Sequence, residues 1–73
     1  MEWFIVAIVY MSQNDINVQQ MDRPFQTKEL CQKYYQNNKA VANDIVLMYP
    51  NQQGHSLVCL NTEQVNILKG TPV

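Results

Sequence analysis

Seventy-three residues, 47% hydrophobic and 15% charged, describe one small folded domain rather than a disordered chain. The formal net charge is −1, and the basic residues Arg23, Lys28, Lys33, Lys39 and Lys69 are scattered, so no basic stripe exists to displace counterions from a nucleic acid. A core this small is marginal by itself and generally needs a disulfide, a metal or a partner subunit.

The chain opens with WFIVAIVY, residues 3–10, an uncharged run rich in Ile, Val and aromatics that reads as a strand. The apolar stretch stops at Ser12 to Asp15, far short of the roughly 20 residues that a spanning helix needs. Met1-Glu2 has no Lys or Arg of a secretory leader. These features predict a soluble protein retained in a cytoplasm, with no membrane partner. Ser12 to Asp15 forms a turn, since Asn tolerates positive φ and Asp caps its own backbone. INVQQM (16–21) alternates weakly and predicts a half-buried strand, which the Asp22-Arg23-Pro24 sequence ends.

Thr27 is the expected N-cap of a helix, with Glu29 in its first turn. Leu30, Tyr34, Val41 and Ile45 share one stripe at a period of 3.6, and Cys31 lies on its flank. The helix ends between residues 42 and 48. IVLMY (45–49) reads either as its last turn or as a short strand. PNQQG (50–54) is a loop, HSLVCLN (55–61) a third strand, and Asn61 or Thr62 the cap of a short terminal helix stopped by Gly70 and Pro72.

The expected fold is therefore α+β. A three-stranded antiparallel sheet of order 2-1-3 carries one main helix on one face, in ββαβ order over residues 1–73. The turn sets Met11 opposite Ile16, Val9 opposite Val18 and Ala7 opposite Gln20. One face then holds Trp3, Ile5, Ala7, Val9 and Met11 beneath the helix. The back face holds Phe4, Val6, Ile8 and Tyr10, joined by Val58 and Leu60, with Asn17, Gln19 and Gln53 as a polar rim. One helix cannot lie on both faces, so those six apolar side chains form a patch of a few hundred Å2. At roughly 25 cal/mol per Å2, leaving the patch wet forfeits several kcal/mol, comparable to the stability of a small domain. Its cover is a second copy of the chain, a different protein, or the chain's own 45–49 and C-terminal segments.

Residues with chemistry are few. Cys31 on the helix and Cys59 on the last strand are close enough to bond if both point into the helix–sheet layer; otherwise they pack as free thiols, as a reducing cytoplasm favours. His55, Cys59 and Cys31 are three metal ligands at best, and zinc wants four. The six carboxylates fall at turns, caps and segment ends, not as an acid–base pair. The glycines, Gly54 and Gly70, make no phosphate loop. No motif specifies a reaction, a cofactor or a metal. The expectation is a non-enzymatic interaction protein that forms a homodimer or binds another protein through Phe4, Val6, Ile8, Tyr10, Val58 and Leu60. The rival readings are a small enzyme or ligand binder with a pocket near Cys31, Tyr34 and His55, and a structural virion component.

Three stretches carry a resemblance: the apolar run Trp3 to Tyr10, Phe25-Gln26-Thr27 followed by Cys31, and Leu57-Val58-Cys59-Leu60. In these the chain resembles a loose group of short proteins encoded in phages and prophages. Those proteins have an apolar first strand, a second strand, an F-x-[ST]-x-x-x-C helix start and a final strand with a second Cys. The segment IVLMYPNQQG is longer than that pattern expects. The resemblance implies a phage or mobile-element origin and a strand-strand-helix-strand fold. It brings no activity with it, since the group has no agreed one. Such an origin would make the partner a host protein and the location the host cytoplasm.

Overall fold

A computed structural model describes residues 1–70. The expected stop at Pro72 lies outside them. β1 (Trp3–Ser12), β2 (Asp15–Phe25) and β3 (Gly54–Asn61) form one antiparallel sheet of order β2-β1-β3, with the most apolar strand in the centre. The α+β class and the strand order are as the sequence predicts. So is the short terminal helix, α3 (Thr62–Lys69), but the expected main helix is two, α1 (Lys28–Asn37) and α2 (Lys39–Met48), making three helices among the described residues.

The predicted single helix breaks at Asn38, whose backbone is extended at φ −124° and ψ 93°. Asparagine is a poor helix former because its amide competes for nearby backbone groups. Here the Asn38 Nδ2 donates to the Tyr34 carbonyl at 2.9 Å and occupies the end of α1. At the other end Thr27 is the N-cap, its Oγ1 accepting from the Leu30 N–H at 3.1 Å.

The break lets the two helices cover different parts of the sheet. Under α1, Ile5, Cys31 and Cys59 form a buried cluster with Trp3, Met21, Phe25, Tyr34 and Val41 around it. Under α2, Ala7, Val9 and Ile45 form a second cluster, flanked by Met11 and Tyr49. Leu30, expected on the buried stripe, is 50% exposed; Cys31 takes the core position instead. Residues 45–48 are the last turn of α2, closed by a bond from the Tyr49 N–H to the Ile45 carbonyl at 3.1 Å.

The hairpin register differs from the expected one by a single residue. Tyr10, not Met11, pairs with Ile16, and Ser12 pairs with Asp15, so Met11 is an extra residue in β1. Such a bulge moves every following side chain of the partner strand to the opposite face. Ile16 and Val18 therefore lie on the back face with Ile8 and Tyr10, while Asn17 and Gln19 lie beneath the helices. Gln19 is accommodated there by the Tyr49 hydroxyl, which donates to its Oε1 at 3.4 Å. A second irregularity falls between the Phe4–Pro24 and Val6–Gln20 pairs. There β2 spends two more residues than β1, and an even number leaves Met21 and Phe25 on the helix side. β3 follows β1 without a shift, setting Cys59 opposite Ile5 and Val58 opposite Val6.

The back face has its own lid. Asn61 forms a capping box with Gln64, its Oδ1 accepting from the Gln64 N–H at 2.8 Å while the Gln64 Oε1 accepts from the Asn61 N–H at 3.1 Å. The chain thereby turns from β3 into α3. Gly70 ends the helix in the left-handed conformation at φ 72°. α3 touches all three strands, and Val65 is buried against them. The sheet is thus sandwiched, and the expectation of helix on one face alone is corrected.

Cys31 of α1 and Cys59 of β3 form a disulfide, with Cα atoms 6.1 Å apart and both residues buried. Replacing both by alanine should cost about 3.5 kcal/mol on the chain-entropy account of a loop this long, read as a lower urea midpoint. Val65→Ala should cost about 1–3 kcal/mol in the same assay if α3 is part of the cooperative core.

Candidate functional site

The six residues expected as an open back-face patch do share that face, but not equally. Val6 is fully buried, Phe4, Ile8, Val58 and Leu60 are half-buried, and Tyr10 is 41% exposed. The expectation of one uncovered patch is corrected by α3, which removes Val6 from any partner's reach. What remains is a groove of about 350 Å3 between α3 and the sheet, lined by Ile8, Val58, Leu60, Gln64, Ile67 and Leu68. Gln64 is its one polar lining residue. On the same sheet face, towards the hairpin, Ile16 is 50% exposed and Val18 half-buried. Ile67 on α3 is 66% exposed.

Four of these apolar residues lie outside the set read from the sequence. Ile16 and Val18 were placed under the helix by the regular register, and only the Met11 bulge moves them. Ile67 and Leu68 belong to a helix too short to assign to a face from its pattern. The expected polar rim also changes. Asn17 and Gln19 are on the other face, and the Gln53 backbone N–H donates to the Tyr10 carbonyl at 2.7 Å.

The rival pocket near Cys31, Tyr34 and His55 is not assembled. Cys31 is disulfide-bonded and offers no thiolate. Cys59 sits opposite Ile5 and His55 opposite Val9, about 13 Å further along the strand at some 3.3 Å per residue. The His55 Nδ1 lies 2.6 Å from the Gln52 Oε1. The Gln52 amide in turn donates to the carbonyls of Ile45 and Tyr49, at 3.2 and 3.0 Å. The histidine is therefore tied to the amide that closes α2. Near Tyr34 the layer holds a cleft of about 190 Å3, with the Arg23 guanidinium 4.5 Å from the Tyr34 ring centre and 5.2 Å from that of Phe25. Among the described residues, no three of His, Cys, Asp and Glu gather where they could hold a metal ion. No helix among them is long and apolar enough to cross a membrane.

Set against family models, curated proteins and solved structures, the chain matches none of them. The surface must therefore be read from its own geometry.

Gln52 is the residue on which the α2–β3 connection leans. Gln52→Ala should lower stability by about 1 kcal/mol, since it removes the second donor from the Ile45 and Tyr49 carbonyls, each of which keeps a backbone N–H, and frees His55. Thermal denaturation followed by circular dichroism checks this, with His55→Ala expected to cost less.

Proposed function

We propose that this chain is a small non-enzymatic interaction module that self-associates through the apolar back face of its sheet. The observation that carries the reading is the groove beside α3, which is open, free of charge and floored by strand residues. Ile67 on one of its walls and Ile16 on the same face of the sheet are at least half exposed, so the surface offers projections as well as a recess. A domain of this size gains from burying such a surface against a copy of itself. The interaction is steric, with apolar side chains at its centre and Gln64 as the one polar residue of the groove.

The resemblance to short phage and prophage proteins supports an origin in a mobile element, with a host protein as the partner of the assembled form. A host cytoplasm would be the compartment. The burial of Cys31 and Cys59 favours survival of their bond there, because a reducing thiol must reach a sulfur to attack it.

Light scattering and native mass spectrometry over a wide concentration range test the proposal. A dimer is expected. Ile67→Lys should weaken it by about tenfold or more, roughly 1.4 kcal/mol, while leaving the circular dichroism spectrum unchanged, because this side chain is largely in solvent. A wild-type chain that stays monomeric throughout refutes self-association.

A further inference from the structure

Arg23 is a charged residue on the helix side of β2. Met21 and Phe25 share that side, and strand alternation sets the residue midway between them there too. Between the Phe4–Pro24 and Val6–Gln20 pairs, β2 places Met21, Asp22 and Arg23 opposite Ile5 alone. Bulges re-aim a side chain and are common beside functional sites. This one brings the Arg23 guanidinium to 4.5 Å from the Tyr34 ring centre and 5.2 Å from that of Phe25, with the two rings 5.3 Å apart. Among the described residues, no side-chain hydrogen bond uses Arg23. The rings hold the cation and leave its N–H donors without a protein acceptor.

Those donors line a surface groove of about 380 Å3 between the end of β2 and α1. Lys33 is its other charged residue, and no carboxylate lines it. Asp22 and Asp44 line the adjoining cleft near Tyr34 instead. Two positive charges therefore meet here in a chain whose net charge is −1. The C-terminus of α1 offsets only roughly half a charge of that. Asn37 adds an amide donor to the groove. Phe25 and Leu30 add apolar wall, and Leu30 is the residue of the helical stripe that the core does not use.

We propose that this groove binds a phosphate monoester carried on an apolar or aromatic body. The Arg23 fork takes phosphate oxygens as a pair, and the Lys33 ammonium supplies the second charge that a dianion needs. A carboxylate would balance only one of the two. The body of the ligand rests on Leu30 and Phe25. An inward-turned arginine on an edge strand also discourages pairing with other strands. That role needs neither Lys33 nor a groove, so ligand binding separates the two. The back face and α3 take no part, and the site is independent of self-association.

Titration of the wild-type protein with phenyl phosphate, followed by heteronuclear NMR, is the test. Resonances of Arg23, Leu30, Lys33 and Asn37 should move together, with a Kd of about 1 mM or below that rises with added sodium chloride. Arg23→Lys keeps the charge but loses the fork, and should weaken binding about tenfold. Lys33→Ala changes an exposed residue of α1 and should weaken it by about as much. Lys69→Ala, on α3, should leave it unchanged. Inorganic phosphate should bind about tenfold more weakly than the ester; equal binding would overturn the apolar half of the site and leave one for free phosphate. If phenyl phosphate moves none of these resonances, Arg23 guards the β2 edge and the proposal fails. It fails equally if Lys69→Ala weakens binding as much as Lys33→Ala, since the attraction is then general to the surface. A chain that is monomeric throughout and still binds phenyl phosphate refutes self-association and upholds this site.

Discussion

A central strand that is apolar on both faces needs two lids, and the rest of this small protein follows from that. Ile5, Ala7 and Val9 point to one side of β1 and Val6 to the other, and all four are buried. A single helix serves a sheet with one wet face. Here the second face would leave Val6, Ile8, Val58 and Leu60 in water, at a cost comparable to the whole stability of the domain. The chain answers with α1 and α2 in front and the two turns of α3 behind. An eight-residue helix is about 12 Å long, however, and β1 runs for ten residues, or about 33 Å. The lid behind is shorter than the strand it covers. The open groove is the remainder.

The front is secured in the ways open to a small core. The Cys31–Cys59 disulfide ties α1 to β3 across the first cluster, beside Ile5. The second cluster has no covalent tie. It relies on Ile45 against Ala7 and Val9, and on Gln52 holding the end of α2 to the following loop. Polar groups that fall inside are matched singly, as with Gln19 and Tyr49, so the layer between helices and sheet holds together without a charged site. These assignments leave the helix–sheet layer to structure. They leave exposed apolar surface on the back face.

Much of the fold was legible because local rules act over few residues. Thr27 as a cap, the Ser12 to Asp15 turn, the PNQQG loop and the central place of WFIVAIVY each depend on short-range chemistry, and each appears where the pattern puts it. Four of the six expected interface residues remain within a partner's partial reach, and a fifth, Tyr10, is openly exposed. Failures arose where a choice is made by something distant. Leu30 and Cys31 are adjacent, and the stripe favours Leu30, yet it is Cys31 that faces inward, bonded to Cys59 on another element of the fold. Asn38 breaks a run that otherwise keeps its period, because two short helices cover the sheet where one was expected. The site was less legible than the fold, since half of its exposed rim depends on a bulge.

By itself, the order of residues determined the α+β class, the antiparallel order of three strands and the presence of apolar side chains on both faces of the first. Periodicity and turn chemistry are local, and they suffice for that. Only the tertiary structure decided which face each β2 side chain occupies, because one extra residue at Met11 inverts them all. It alone decided that α3 folds behind the sheet, since a helix of two turns has no stable preference until a surface is there to receive it.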